Sequence, residues 1–352
     1  MRIGFLNSGL ALSMLNCLTC RQESANMPDD PYTHVLDREG VPTEASQLKQ
    51  QLNLIEQVIN YGTQLMPRAW DSSQKGISDS IIIFHLFRKV ITHLDSIHIL
   101  LSQGAVAGAM SELRAMLEAS VLVDWLLKED TEQRAHFMFV AAFRREKAVA
   151  DSFIPGSATH QQLVDDLGLA DLAEHAAGAQ VKSAAIDKMG QHPVFGTIYQ
   201  LFDQAATAKG KEPVWTDVYE AHCRIVAGNP PKSMKHLPKV QIRDIFDQVG
   251  RLRDYRRIYG HLSEEGHGSA LLSSLEIDGG TRFQVPNIRD WTKFLQVFRF
   301  SVAFAIRTYR SILDRYRPGE ARDNFPRKYK AEWQQVFMTP VEITKKPTFK
   351  TV

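Results

Sequence analysis

Residues 81–129 read IIIFHLFRKVITHLDSIHILLSQGAVAGAMSELRAMLEASVLVDWLLKE, and two apolar stripes separated by one glycine decide the fold class. The run from Ile81 to Leu101 is apolar enough to raise a membrane span, yet it holds His85, Arg88, Lys89, His93, Asp95 and His98. A spanning helix tolerates few such groups, because each central charge is costly in hydrocarbon. The run therefore reads as the buried part of an amphipathic helix over Ser78–Gln103. After Gly104, the residues Met110, Leu113, Leu117, Val121, Trp125 and Leu126 recur at helical spacing through Ala105–Glu129. So short a break predicts an antiparallel helical pair.

The same periodicity extends outward. Upstream, Leu48, Leu52, Leu54, Ile55, Val58, Ile59 and Leu65 predict a helix over Glu44–Trp70. Downstream, Thr131–Phe153 is stopped by Pro155-Gly156, and the Ala-rich stretch 157–190 predicts short, irregular helices. Val194–Lys209 and Val214–Ala227 follow, and Gly228-Asn229-Pro230-Pro231 breaks the chain ahead of a loop over Lys232–Lys239. Val240–Leu262 predicts one helix, with Ile242, Ile245, Phe246, Val249, Leu252, Tyr255, Ile258 and Tyr259 near one face. Leu271–Asp278 and Thr281–Val285 flank Gly279-Gly280, which suits a hairpin turn needing positive φ. Asn287 is placed to cap a helix over Ile288–Tyr316, stopped by Pro318-Gly319, and a last helix is expected over Lys328–Phe337. The expected class is an all-α helical bundle with one small β-hairpin near 271–285. Residues 44–339 form a single helical domain in this reading, with a flexible or leader segment at 1–43 and a disordered tail at 340–352.

The totals exclude several function classes. A formal charge of +2 over 352 residues means that any nucleic-acid surface is a local patch. Cys17, Cys20 and Cys223 are too few and too odd for a disulfide framework, and the lone Cys17-x-x-Cys20 lacks the second ligand pair of a zinc site. Met1–Cys20 resembles a secretory signal only faintly, since a single Arg precedes a run interrupted by Asn7, Ser8 and Asn16. Met27 opens a polar stretch that suits an N-terminus, so the expectation is a poorly structured leader on a cytoplasmic protein. There is no Walker loop, Rossmann glycine fingerprint or Gly-x-Ser-x-Gly elbow. No cofactor, metal or membrane association is expected.

One segment carries candidate chemistry. In 254–269, Tyr255, Tyr259, Ser263 and His267 recur every four residues, so on a continuous helix they line one face. Buried polar rows need partners, either one another or a ligand. Arg114 and Glu118, four apart on one helix, read either as a surface ion pair or, given core-like Leu113, Met116 and Leu117, as a buried pair that clamps that row. Arg224, Lys232, Lys235, Lys239, Arg243, Arg251, Arg253, Arg256 and Arg257 outnumber the acids between them and read as a phosphate-facing patch over 224–257. His261, Glu264, Glu265 and His267 match no metal spacing.

The pattern Tyr259-x-x-x-Ser263-x-x-x-His267, downstream of Arg114-x-x-x-Glu118, resembles an uncharacterised bacterial all-helical family, domain of unknown function five-six-seven-seven, over about Ile81–Ser269. That family in turn looks loosely like the HEPN superfamily of helical bundles, many of them RNases of toxin and phage-defence systems. Their motif is Arg, four to six residues, then His, and Arg256 to His261 fits it; the His of the unknown-function pattern is His267 instead. Arg257 stands where active HEPN enzymes often carry Asn. The resemblance implies metal-independent RNA cleavage at a site shared across a homodimer. A His would take the ribose 2′-OH proton and Arg256 would hold the scissile phosphate. The alternative is a non-catalytic helical module that binds a partner through the Tyr255–His267 face.

Overall fold

The computed structural model describes residues 45–167, 173–262, 276–278, 282–284, 289, 291–341 and 343. Four long helices make its centre: α1 (Lys49–Asp71), α2 (Phe84–Ser102), α3 (Val106–Lys128) and, far along the chain, α10 (Phe294–Tyr316). Gly104, at φ +67°, turns the chain between α2 and α3, and the two helices pack against each other as the one-glycine break predicts. His93 of α2 lies 2.7 Å from Glu112 of α3 on the rim of that contact. α10 lies against α1, α2 and α3 at once. Its apolar stripe, Phe294, Val297, Phe298, Val302, Ala305, Tyr309, Ile312 and Leu313, is fully buried. Gly62 of α1 lets α10 close in, since a Cβ there would stand 2.3 Å from the Tyr309 hydroxyl. That hydroxyl donates to the Val58 carbonyl at 3.0 Å.

A second group of helices flanks the first: α4 (Thr131–Ser152), α5 (Ala158–Leu167), α6 (Ala173–Gly190), α7 (Pro193–Lys209) and α8 (Trp215–Val226). α4 joins the two groups, and Arg134 near its start is almost wholly buried. Its guanidinium stacks 3.9 Å from the Trp125 ring and reaches Glu129 at 2.6 Å, so its charge is matched where it is desolvated. One apolar cluster runs from Leu48 to Trp333. Among the described residues no helix is long and apolar enough to cross a membrane.

Two expectations need correction. The predicted helix over Val240–Leu262 is broken: α9 spans only Ile242–Gln248, Gly250 adopts φ +69°, and a new helical segment starts at Leu252. A residue in the left-handed region ends an α-helix whatever the apolar periodicity around it. The last long helix starts at Phe294 rather than Ile288, and the proposed cap Asn287 lies outside the described residues. Pro318 ends α10 but also opens a short helix, α11 (Pro318–Arg322), where its missing N–H costs nothing, with α12 (Asn324–Lys328), a π-turn (Tyr329–Trp333) and α13 (Gln334–Met338) after it. Of the hairpin expected over 271–285, the described residues Glu276–Asp278 and Arg282–Gln284 pair antiparallel with Ile277 opposite Phe283. Its outer flanks and its Gly279-Gly280 turn lie outside the described residues, and the class is all-α.

Candidate functional site

The segment singled out by the sequence begins where Gly250 redirects the chain. Leu252–Asp254 makes one helical turn, and Tyr255–Tyr259 continues as a π-turn in which the Gly260 N–H donates to the Tyr255 carbonyl. A bond five residues back widens the turn by one residue. In a regular α-helix, positions five apart point about 140° from each other. The wider turn brings them closer to one face, and Arg256 and His261 are such a pair. Arg256 and Arg257 are exposed, and His261 is half-buried.

Tyr255 and Tyr259 stack with centroids 5.3 Å apart and planes 18° from parallel, both edging against buried Phe246. Arg114 of α3 donates to the Tyr259 hydroxyl at 3.2 Å, and its guanidinium carbon sits 5.1 Å from that ring centre. The Arg114 Nε reaches Glu118 at 3.3 Å. Burial, with the Glu118 carboxylate beside it, pushes the Tyr259 phenol above its usual range, while Arg114 pulls it down. The bond to Tyr259 is the main cause that raises the Arg114 guanidinium. Arg114 and Glu118 thus meet the later segment as the sequence suggests, from a half-exposed position rather than a buried one. Ser263 and His267, the rest of the proposed row, lie outside the described residues.

The basic patch also needs one correction. Arg224, Lys232, Lys235, Lys239, Arg243, Arg253, Arg256 and Arg257 are exposed, but the side chain of Arg251 is 0% exposed. Its NH1 donates to Asp124 at 2.9 Å and to the Ser120 hydroxyl at 2.8 Å, and its Nε donates to Asp254 at 2.8 Å. Phe304 of α10 lies under its guanidinium at 5.3 Å, and its NH2 is buried with no hydrogen-bond partner. Asp124 is shared: Ser311 donates to it at 2.6 Å and Arg307 approaches at 3.3 Å. Thr308 Oγ1 lies 2.9 Å from Ser120 Oγ. This network bolts the start of the π-turned segment to α3 and α10 together. Sequence reasoning missed it because Arg251 sits within a basic run and its partner is 127 residues away. The available signals were an acid, Asp124, set in the apolar run Val121–Leu127, and an Arg directly after a glycine.

Among the described residues no group of three or more His, Cys, Asp and Glu could hold a metal ion. The model of a family of unknown function (DUF5677) matches residues 80–281, more than half of the chain, and the chain belongs to that family. No curated protein and no solved structure matches it.

Proposed function

For this member of a family of unknown function, we propose an RNA-acting, HEPN-like role without a metal, with Arg256 and His261 as the working pair and Ser263 and His267 beyond them. The observation that carries it is the π-turn over Tyr255–Tyr259, which draws residues five apart toward one face and leaves the Arg256 head in solvent. His261 removes the proton from a ribose 2′-OH, the 2′ oxygen attacks the adjacent phosphorus, and the P–O5′ bond breaks as the 5′ oxygen takes a proton from water, giving a 2′,3′-cyclic phosphate and a 5′-OH, after which His261 returns its proton to solvent. Arg256 neutralises the charge that builds on the non-bridging oxygens. The stacked tyrosines, held by Arg114, give that helix a rigid back. A homodimer that pairs two such faces completes the site.

The test is cleavage of a labelled RNA by purified protein in EDTA, alongside Arg256→Ala, His261→Ala and His267→Ala. Loss of about a hundredfold or more in one variant, with unchanged circular dichroism, supports the reading and names the residue. Intact RNA with wild-type protein on several sequences ends it. A second reading, a non-catalytic binding module, draws on the Tyr259 hydroxyl: Arg114 already engages it, as in a row closed on itself.

A further inference from the structure

We propose that the cleft between α3, the end of α9 and α10 is a binding site for a phosphate group, independent of the Arg256–His261 reading. The cleft is open, has a volume of 720 Å³, and is floored by Asp124 with Lys128, Gln248, Arg307, Ser311 and Arg315 around it. Leu127 and Val249 add an apolar wall.

Its charge balance favours an anion once the existing pairs are counted. The two carboxylates of the lining are already matched: Asp124 to Arg251 at 2.9 Å and Asp314 to Arg310 at 2.9 Å. Arg251 also holds Asp254 at 2.8 Å, while Arg307 shares Asp124 at 3.3 Å. The lining itself sets three cations (Lys128, Arg307 and Arg315) against two carboxylates (Asp124 and Asp314), and both carboxylates also have an arginine outside it, Arg251 and Arg310. Lys128 spends its ammonium on the Gln248 carbonyl at 2.5 Å, a neutral acceptor that leaves its charge uncancelled. Arg315, an exposed residue, makes no ion pair among the described residues; its guanidinium engages the Tyr316 hydroxyl, a neutral acceptor.

The second observation lies behind the floor. Arg251 is wholly buried yet keeps one nitrogen, NH2, without an acceptor. Its charge is held by Asp124 and Asp254, so what remains behind the floor is one unmet N–H dipole beside Asp124. The Ser311 hydroxyl is already given to Asp124 and Gln248 Oε1 accepts from Trp125 at 2.6 Å, which leaves the Gln248 amide N–H groups as the neutral donors of the lining, while Arg307 and Arg315, eight residues apart on α10, can grip an oxyanion between them.

The phosphate could belong to a free nucleotide or to an RNA backbone, and the experiment separates the two. Full-length protein is titrated with inorganic phosphate, with AMP and with a fluorescent single-stranded RNA octamer, as wild type and as Lys128→Gln, Arg315→Gln and their double variant. All three substituted forms change exposed side chains only. Arg322→Gln, on an exposed arginine outside the cleft, controls for bulk charge. Each lost charged contact is expected to weaken binding about tenfold. Weakening of AMP or phosphate binding in the cleft variants but not in Arg322→Gln supports a free-ligand site. The same pattern with the octamer alone supports a backbone site. No binding by wild type at millimolar concentrations of phosphate and AMP and at micromolar octamer overturns the proposal. Equal affinities in all variants overturn it as well. None of these arms depends on RNA being cut, so failure of the nuclease reading leaves the result interpretable.

Discussion

Replacing Arg251 by Met removes a guanidinium while keeping much of its volume. The side chain is fully buried and makes three charge-assisted bonds, to Asp124, Asp254 and Ser120. Breaking one partner out of a buried ion pair costs about 3–5 kcal/mol when the remaining charge is stranded. Here the strandings are partial. Asp254 is 26% exposed and regains water, and Asp124 keeps Arg307 at 3.3 Å and Ser311 at 2.6 Å. The substitution also relieves the unmet NH2 donor, itself a burden of about 1–3 kcal/mol. The expected loss is therefore about 2–3 kcal/mol, at or below the lower end of that range. Arg251→Met with Asp124→Leu removes both charges, and buried pairs replaced by apolar groups are often tolerated. The double variant should lose at least about 1 kcal/mol less than the sum of the singles. Urea unfolding followed by circular dichroism at pH 7.5 measures all three against wild type, provided m is unchanged. A single-variant loss under about 1 kcal/mol, or strict additivity in the double, would refute the claim that this arginine anchors the segment.

Three further outcomes follow from the same structure. Gly62→Ala drives a methyl against the Tyr309 ring and hydroxyl in a fully buried contact, and thermal melting should show a loss of about 1–3 kcal/mol. Tyr259→Phe deletes one half-exposed bond from Arg114, so it should cost about 1 kcal/mol or less; a loss twice that size would mean that the row supports more than this contact. His136 and His222, both half-buried, sit below the ordinary histidine range chiefly through burial, and the more exposed His85 does so through partial desolvation beside Lys89 and Arg88. Their folded pKa values lie under the unfolded one, so the unfolded chain binds more protons and stability falls as pH drops below about 6.5. The urea midpoint should decline between pH 7.5 and 5.5, and His136→Gln should flatten that decline; an unchanged slope in the variant would remove His136 from the account.

The helical class was readable because burial follows spacing. The stripes Leu52–Leu65, Met110–Leu126 and Phe294–Leu313 each repeat at three and four residues, and each is buried where the repeat places it. The Arg114–Tyr259 meeting was foreseeable because an arginine among Leu113, Met116 and Leu117 has little but a polar partner to seek. The break at Gly250 was not, since Phe246, Val249 and Leu252 keep helical spacing across it. Nor was the π-turn, because an i to i+5 bond leaves no mark in apolar periodicity. Arg251 reads as one more member of a basic run, and its burial depends on Asp124 and Phe304, which only tertiary packing brings beside it.

The late position of α10 bears on how the chain is synthesised. About 165 residues lie between the end of α3 and the start of α10, yet α10 covers the apolar faces of α1, α2 and α3 together. At ribosomal rates of roughly 5–20 residues per second, those faces stand open for on the order of ten seconds or more before their cover is made. The segment matched by the family, residues 80–281, contains neither α1 nor α10. Expressed alone, that segment would lack the cover that α1 and α10 give to the apolar faces of α2 and α3.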